Sequence, residues 1–284
     1  MSKKTAADLK SVLITGCSEG GIGFALAKEF QRRGLHVIAT ARSPGKMAAL
    51  EKLPNVTLVS LDVCSQASLD AAVATVSATT AGRLDYLVNN SGSQYVMPVV
   101  DVDMQKAKDM FDVNVWGVVA TVKAFVPLLI AAKGCVVNNA SIAGLMYPPY
   151  MVLYAASKAA TVTISEGLRL ELKPLGVRVV TVITGAVGTN LFANAPEHHL
   201  PDGSRYAPAE KEVAARATGT DFADQVMAPA DYARSVVGDV LGGSTGKIFR
   251  GKMATMVRIV TTWFPTLLID MLTRQHTGLE RIKP

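Results

Sequence analysis

Short apolar runs alternate with longer helical patterns through the first two thirds of the chain. Six runs rich in valine, isoleucine and leucine predict strands at 11–15, 35–40, 56–60, 84–89, 135–140 and 177–183. Continuous apolar runs of this length are typical of strands buried on both faces of a parallel sheet. Ile22, Leu26 and Phe30 share one face of a first helix, and 65–81, 103–132 and 149–175 are long enough for helical crossovers. Right-handed βαβ units in this order predict an α/β fold with a doubly wound parallel sheet and helices on both faces.

The alternation breaks after Thr184, and two later segments need their own interpretation. Residues 190–229 contain prolines and mixed charges and predict a loop or small helical lid that sets substrate specificity. Residues 247–284 form a basic, amphipathic C-terminal extension within what we take to be a single domain spanning 1–284. Apolar residues recur there at helical spacing, and Pro265 is expected to divide them into two short helices: Met256, Val260, Trp263, Phe264, Leu267, Leu268, Met271 and Leu272.

Four interpretations of the extension stay open: a packed core helix, a lid over the substrate pocket, a subunit contact, or an interfacial membrane helix. The segment carries seven cations and two anions, a net +5 of the chain's formal +6. Such a bias favours an anionic partner, either a membrane surface or a phosphorylated substrate, although a solvated basic face has the same composition. Aromatic residues are sparse between the charges, so we expect no nucleic-acid partner.

Length and composition place the chain among globular proteins with a large core. It has 284 residues, of which 49% are hydrophobic and 18% charged. Its three cysteines, Cys17, Cys64 and Cys135, form no C-x-x-C pair and predict neither a disulfide framework nor a zinc site. The polar stretch 1–10 lacks the apolar core of a secretory signal, so we expect a cytoplasmic protein. The adjacent His198 and His199 diverge, and no metal is expected.

A glycine-rich turn follows the first predicted strand and opens the first helix. It reads Thr-Gly-Cys-Ser-Glu-Gly-Gly-Ile-Gly over 15–23. Glycines in this context allow a tight turn and bring backbone N–H groups to a pyrophosphate at a helix N-terminus, as in Rossmann-like folds. After the second strand, where an NAD enzyme places an acidic residue, the chain has Arg42 and Ser43, and a guanidinium suits a 2′-phosphate. The sequence therefore favours NADP(H), although Glu19 argues mildly for NAD.

A second motif carries the chemistry. Tyr154 and Lys158 are four residues apart in a helix-forming stretch and so lie one turn apart on the same face, with Ser141 thirteen residues before Tyr154. A cation beside a phenol favours the phenolate, so we expect Lys158 to lower the pKa of Tyr154 and make it a general acid and base.

Taken together, these residues resemble a short-chain dehydrogenase/reductase of the classical type. Further matches are Asp62 after the third strand, Asn-Asn-Ser-Gly at 89–92 and Asn-Val-Trp-Gly at 114–117. The resemblance implies a catalytic tetrad of Asn114, Ser141, Tyr154 and Lys158, with Asn114 ordering a water. It departs from the family in an extra residue within the glycine turn, in Ser91 for alanine, and in Thr184-Gly185 where Pro-Gly is common.

The resemblance also implies a cofactor site and a reaction. Asp62 would contact the adenine, Asn90 would lie along the cofactor and Thr189 would hold the nicotinamide carboxamide. The full predicted set is Gly16, Ser18, Gly21, Ile22, Gly23, Arg42, Ser43, Asp62, Val63, Asn90, Gly92, Tyr154, Lys158, Val187 and Thr189. The expected reaction is NADPH-dependent reduction of a small-molecule ketone, in a protein that forms a homo-oligomer. A nucleotide-binding scaffold without turnover is the alternative.

Within the family, the amino-acid sequence at 61–63, 111–117 and 184–187 and the basic extension are similar to fungal NADPH-dependent 1-acyldihydroxyacetone-phosphate reductases. That similarity implies a lipid ketone as substrate and a location in the cytoplasm or peripheral to lipid droplets or the endoplasmic reticulum. Ketoreductases of secondary metabolism share the same core and stay an open alternative.

Overall fold

A seven-stranded parallel sheet forms the centre of the protein. The computed structural model describes residues 9–191 and 199–283. The strands are β1 (Ser11–Ile14), β2 (His36–Ala41), β3 (Val56–Ser60), β4 (Tyr86–Asn89), β5 (Cys135–Asn139), β6 (Arg178–Thr184) and β7 (Gly246–Arg250). Their order is β3-β2-β1-β4-β5-β6-β7, and every pairing is parallel. The doubly wound sheet and its first six strands are thereby confirmed.

The seventh strand was not predicted. β7 reads Gly-Lys-Ile-Phe-Arg and pairs only with β6, at the edge of the sheet. Because an edge strand is only partly covered, it needs no continuous apolar run, and its two charged residues hide it from a search for such runs.

Helices cover both faces of the sheet. They are α1 (Ile22–Arg32), α2 (Ala48–Glu51), α3 (Gln66–Thr79), α4 (Met104–Phe111), α5 (Gly117–Ala132), α6 (Val152–Leu172), α7 (Glu210–Thr218), α8 (Pro229–Leu241), α9 (Ala254–Trp263) and α10 (Thr266–Arg274). Successive strand residues point to opposite faces. Val12 and Ile14 therefore pack with α1 and α8, whereas Leu13 packs with α3, α5 and the end of α6.

The long helix predicted over 103–132 is interrupted. A π-helical turn, Asp112–Trp116, separates α4 from α5. Of the predicted lid, 192–198 lies outside the described residues, and the rest contains α7 and short 3₁₀ turns at 207–209 and 220–225. Pro265 stands between α9 and α10, so the predicted division of the extension into two helices is confirmed.

The order of the strands determines where a ligand can bind. β1 and β4 are neighbours, and the connection after β1 leads to β2 on one side, whereas the connection after β4 leads to β5 on the other. In open α/β sheets, a crevice forms at such a switch point. The glycine turn, the segment after β4 and the segment after β5 all meet there.

Candidate active site

A cleft of about 1430 Å³ opens at the carboxyl ends of the strands. Most predicted site residues line it: Gly16, Ser18, Gly21, Ile22, Arg42, Asp62, Val63, Asn90, Gly92, Ser141, Tyr154, Lys158, Val187 and Thr189. Gly23, Ser43 and Asn114 do not reach its surface. The fold thus assembles nearly all of the predicted residues around one space.

The extra residue in the glycine turn determines which glycine lies at the start of α1. Gly16 and Gly20 have φ of 73° and 77°, a backbone conformation that favours glycine. Gly21, and not Gly20, caps the N-terminus of α1 and lines the cleft. Gly20 instead lies against Asn190, where a Cβ would collide with the amide group. The Gly21 N–H donates to the Ser18 carbonyl oxygen at 3.1 Å, and Ile22, the first residue of α1, lines the cleft beside it.

Gly23 acts from behind the turn. A Cβ there would lie 2.6 Å from Asn90 Nδ2 and closer still to the Gly16 carbonyl oxygen. The absence of a side chain lets α1 pack directly on the turn, which keeps the helix N-terminus at the cleft. Asn90 also donates from Nδ2 to the carbonyl oxygens of Thr15 and Gly16, at 2.9 and 3.1 Å.

This cradle fits a dinucleotide. Its narrow glycine turn leaves backbone donors at a helix N-terminus, the arrangement that binds a pyrophosphate. Arg42 is exposed at the cleft just beyond β2, and Lys46, which the sequence analysis missed, lies beside it at the same end of the cleft. Asp62 stands after β3, where its Oδ1 accepts the Cys64 N–H at 3.0 Å. The residues present would hold a nicotinamide dinucleotide along the carboxyl ends of the strands.

Tyr154 lies in the cleft at the first turn of α6. It is 8% exposed, and burial raises the pKa of its phenol, while a hydrogen bond with the Ser141 side chain lowers it. The expectation that Lys158 would lower the pKa of Tyr154 is wrong for this structure. The Lys158 ammonium lies 5.9 Å from the ring centroid, and burial outweighs any attraction it exerts. Tyr154 is therefore held as the neutral phenol, a state that can donate a proton.

Lys158 is a buried cation. Its side chain reaches the cleft from α6, and Nζ donates to the backbone carbonyl oxygen of Asn139 at 3.1 Å. Burial lowers its pKa from 10.5 to about 8. A lysine held at this cost in free energy, beside a tyrosine in a cleft, is typical of a functional site.

Asn114 is placed differently from the prediction. It is fully buried in the π-helical turn, and its side chain bonds to the protein: Oδ1 accepts the Ser93 N–H at 2.9 Å, and Nδ2 donates to Ser93 O and to Ser157 Oγ. Its amide holds the segment after β4 against α6, beside Gly92 and Lys158. The predicted role of ordering a water stays a prediction, and the observed contact is one that positions its neighbours.

A chain of polar side chains beneath the cleft was also missed. Asn139 Oδ1 lies within hydrogen-bond distance of the Thr184 hydroxyl, at 2.5 Å, and of the Tyr232 hydroxyl, at 3.4 Å, and the two hydroxyls share a hydrogen bond of 2.6 Å. Asn139 Nδ2 donates to Asn90 Oδ1 at 3.0 Å. The chain links α8 to the glycine turn through Asn139, whose carbonyl holds Lys158. Its members are 45 to 49 residues apart in sequence, so no local pattern reveals it.

The C-terminal extension forms one wall of the cleft. Residues of α9 and α10 and of the turns beside them line it on the side of Tyr154 and Met151: Met253, Met256, Val257, Val260, Thr261, Ile269, Leu272, Thr273, Gln275 and His276. Among the interpretations left open by the sequence, the structure thus favours a wall or lid over the substrate pocket. Over 9–191 and 199–283, no group of three or more His, Cys, Asp or Glu residues is placed to hold a metal ion.

Comparison with known proteins gives a consistent result. A family model described as short chain dehydrogenase matches residues 10–200. The chain is 45% identical over 270 residues to the short-chain dehydrogenase ptmH of Penicillium ochrochloron, covering 95% of this chain and 98% of that one. It is 46% identical over 259 residues to the short-chain dehydrogenase PC-15 of Penicillium crustosum, covering 91% and 94%. The crystal structure of a short-chain dehydrogenase from Streptomyces avermitilis superposes with a TM-score of 0.78 at 28% identity, over 99% of this chain and 98% of that one.

Proposed function

Because the chain belongs to the short-chain dehydrogenase/reductase family, we propose that it is an NADPH-dependent reductase that converts a ketone into a secondary alcohol. Oxidoreductase chemistry with a nicotinamide cofactor follows from membership of the family. The ketone substrate, the preference for NADPH and the role of Tyr154 as the acid are what we propose. NADPH, when bound, supplies the hydride. The observation that carries the proposal is the cluster on the cleft wall formed by the buried Tyr154 and Lys158 and the half-buried Ser141.

Each member of the cluster has a role that its environment supports. Reduction places negative charge on the carbonyl oxygen, which requires donors already in position. The neutral phenol of Tyr154 gives its proton to that oxygen, and Ser141, hydrogen-bonded to Tyr154, is the second donor. Lys158, once a substrate and cofactor fill the cleft, stabilises the phenolate that remains.

The preference for NADPH is supported by charge at one end of the cleft. Arg42 and Lys46 are both exposed there, beyond the end of β2. A 2′-phosphate carries two negative charges at neutral pH and favours a guanidinium that can bind it with two parallel hydrogen bonds.

The test is consumption of NADPH with a panel of aliphatic, aromatic and phosphorylated ketones, followed at the absorbance band of the reduced nicotinamide. Tyr154→Phe should lower kcat by about 10² to 10⁴, the usual contribution of a general acid, and should leave NADPH binding intact. Tyr147→Phe is the matched control, because Tyr147 is 60% exposed and lies outside the cleft. Near-normal turnover of Tyr154→Phe would refute the assignment. Tight NADPH binding with no turnover of any ketone would instead favour a nucleotide-binding scaffold.

Location and assembly are further proposals. We expect a cytoplasmic homo-oligomer, and a contact with lipid droplets or the endoplasmic reticulum is a proposal supported by the apolar outer side of the extension, where Trp263 and Leu267 are 79% and 70% exposed. Such a contact requires that the protein sediment with anionic vesicles, less so at high salt, and that truncation after Thr255 abolish the effect. Full-length protein that stays in solution with vesicles at every salt concentration would exclude it.

A further inference from the structure

We propose that the part of the C-terminal extension that follows β7, residues 252–283, selects the substrate and that it admits an uncharged, hydrophobic ketone. The proposal rests on the proposed reductase function and adds to it the chemical class of the substrate. It chooses between the two chemistries left open by the sequence, an anionic phosphorylated ketone and a neutral one.

The extension is fixed across the cleft at both of its ends. At its start, just after β7, Lys252 pairs with Ala186 through two backbone hydrogen bonds of 3.0 and 3.2 Å, so the extension begins beside the segment that follows β6. At its end, the Tyr150 hydroxyl donates to the Thr277 carbonyl oxygen at 2.6 Å, and Arg281 forms an ion pair with Glu212 of α7. A segment held at both ends is a wall in a defined position.

The inner side of this wall is mostly apolar, and its polar members are Thr261, Thr273, Gln275 and His276. Val257, Val260, Ile269 and Leu272 face the cleft from α9 and α10, together with Met253 and Met256. Met146 and Met151 also line the cleft, on the side of the catalytic candidate Tyr154. Aliphatic residues with several flexible, polarizable methionines form a surface that adapts to the shape of a large apolar ligand.

The extension's positive charge lies elsewhere. Within the residues that the structure describes, none of the seven cations of 247–283 lines the cleft. Arg250 pairs with Asp239 at 2.7 Å, Arg281 pairs with Glu212, and Arg258 stacks over the Phe249 ring at 5.5 Å. The net charge of +5 that suggested an anionic substrate is therefore directed to other contacts or to solvent.

The other cations that line the cleft lie at its nucleotide end, are paired with a carboxylate, or belong to the catalytic cluster, where Lys158 Nζ donates to the Asn139 carbonyl oxygen. Arg42 and Lys46 follow β2. Lys106 lies on α4, and this helix is near the nucleotide end of the cleft, because its Asp109 acts electrostatically on Cys64, which follows Asp62 closely in the chain. On the substrate side, Arg216 is in an ion pair with Asp221. A phosphate or carboxylate placed against α9 would lose its water without gaining a partner, which disfavours binding strongly. A neutral ketone carries no such penalty and gains from the buried apolar surface.

A matched pair of ketones tests the substrate class. Both 2-acetonaphthone and 6-acetyl-2-naphthoic acid present the same methyl ketone on the same rings, and only the second carries a carboxylate. We expect kcat/KM with NADPH to be at least tenfold higher for the neutral ketone. Equal efficiency, or a preference for the acid, would overturn the proposal.

A matched pair of variants tests the wall itself. Val260→Lys puts an ammonium into the cleft, whereas Ile259→Lys makes the same change one residue away, at a side chain that is 48% exposed and outside the cleft. Val260→Lys should lower kcat/KM for 2-acetonaphthone by tenfold or more and narrow its advantage over the acid, with the Kd for NADPH unchanged. Ile259→Lys should behave as the unmodified enzyme. Equal effects of the two substitutions would refute the role of the inner side, and Val260→Thr, which keeps the shape, covers the case in which the lysine variant fails to fold.

Binding separates this proposal from the proposed function. The affinity for 2-acetonaphthone is measured by its fluorescence with NADP⁺ present, so no turnover is needed. If the neutral ketone binds and shows the contrast between Val260→Lys and Ile259→Lys but is never reduced, the proposed role of the extension is supported and the reductase function is refuted. If the enzyme reduces ketones without that contrast, the proposed role of the extension is refuted and the reductase function is supported.

Discussion

Replacing Lys158 by methionine should make the ligand-free protein more stable at neutral pH while abolishing its activity. Lys158 is 7% exposed, and burial lowers its pKa from 10.5 to about 8. At about 1.4 kcal/mol per pKa unit, keeping the ammonium charged inside the protein costs about 3 kcal/mol of unfolding free energy. Methionine has nearly the same length, carries no charge and removes that cost. It also leaves the Asn139 carbonyl oxygen without the Nζ donor, a loss of about 1 kcal/mol. The net gain at pH 7 is therefore about 2 kcal/mol.

The gain should depend on pH in a definite direction. The folded protein releases the Lys158 proton near pH 8, and the unfolded chain holds it until about 10.5. Between these values the unfolded state binds more protons, so the stability of the unmodified protein rises with pH. Lys158→Met has no proton to release, so its advantage should shrink across this window, vanish at about pH 9.5 and turn into a deficit of about 1 kcal/mol at the upper end, where only the lost hydrogen bond remains.

Urea unfolding without nucleotide, at pH 7, 8, 9 and 10 and at one fixed protein concentration, measures both effects. Lys123→Met is the control, because Lys123 lies on a helix, α5, but is exposed, and its difference from the unmodified protein should be small at every pH. A Lys158→Met protein that is less stable at pH 7, or whose difference does not change with pH, would refute the reasoning that Lys158 is a desolvated cation.

Three further experiments test other parts of the site. Arg42→Ala should weaken NADPH binding by about tenfold or more and leave NADH binding nearly unchanged, since a charge-assisted hydrogen bond contributes about 1.5 to 3 kcal/mol; equal losses in nucleotide titrations would make Arg42 structural. Gly23→Ala places a Cβ 2.6 Å from Asn90 Nδ2 and should weaken nucleotide binding at least tenfold and reduce stability by about 1 to 3 kcal/mol, whereas Gly45→Ala, which meets open space, should do neither. Thr184→Val and Tyr232→Phe, measured singly and together by urea unfolding, should be coupled by about 0.5 to 1.5 kcal/mol because the two hydroxyls share one hydrogen bond; strictly additive losses would contradict the chain of donors.

Local sequence pattern was sufficient for the centre of the fold. A buried parallel strand must be apolar on both faces, so the first six strands stand out as continuous apolar runs. The glycine turn could be predicted because its backbone conformation favours glycine, and the glycines are visible in the sequence. β7 is exempt from the first condition because it lies at the edge of the sheet. Helical spacing and Pro265 likewise predicted α9 and α10, but periodicity describes one helix at a time and cannot tell what lies opposite its apolar side.

Parts of the site that depend on distant contacts could not be predicted. Asn139 and Thr184 meet only because β5 and β6 are neighbours in the sheet, and Tyr232 joins them from α8. The pKa of Tyr154 was predicted in the wrong direction because the spacing to Lys158 indicates proximity but not burial. The role of ordering a water, which the resemblance implies for Asn114, stays a prediction, whereas its contacts with Ser93 and Ser157 join distant parts of the chain and no local pattern reveals them.

The π-helical turn at Asp112–Trp116 implies a limit on how far this protein can be stabilised without harm. Such a turn holds one residue more than a regular helix and has poorer hydrogen-bond geometry, so deleting a residue there would join α4 and α5 into one continuous helix of better local stability. The deletion would also rotate Asn114 by about 100° relative to the residues beyond it, taking its amide away from Ser93 and its carbonyl oxygen away from the Thr161 hydroxyl, now 2.9 Å apart. A deletion that made the helix regular would therefore sacrifice the contacts of Asn114, so stability and activity are opposed at this turn.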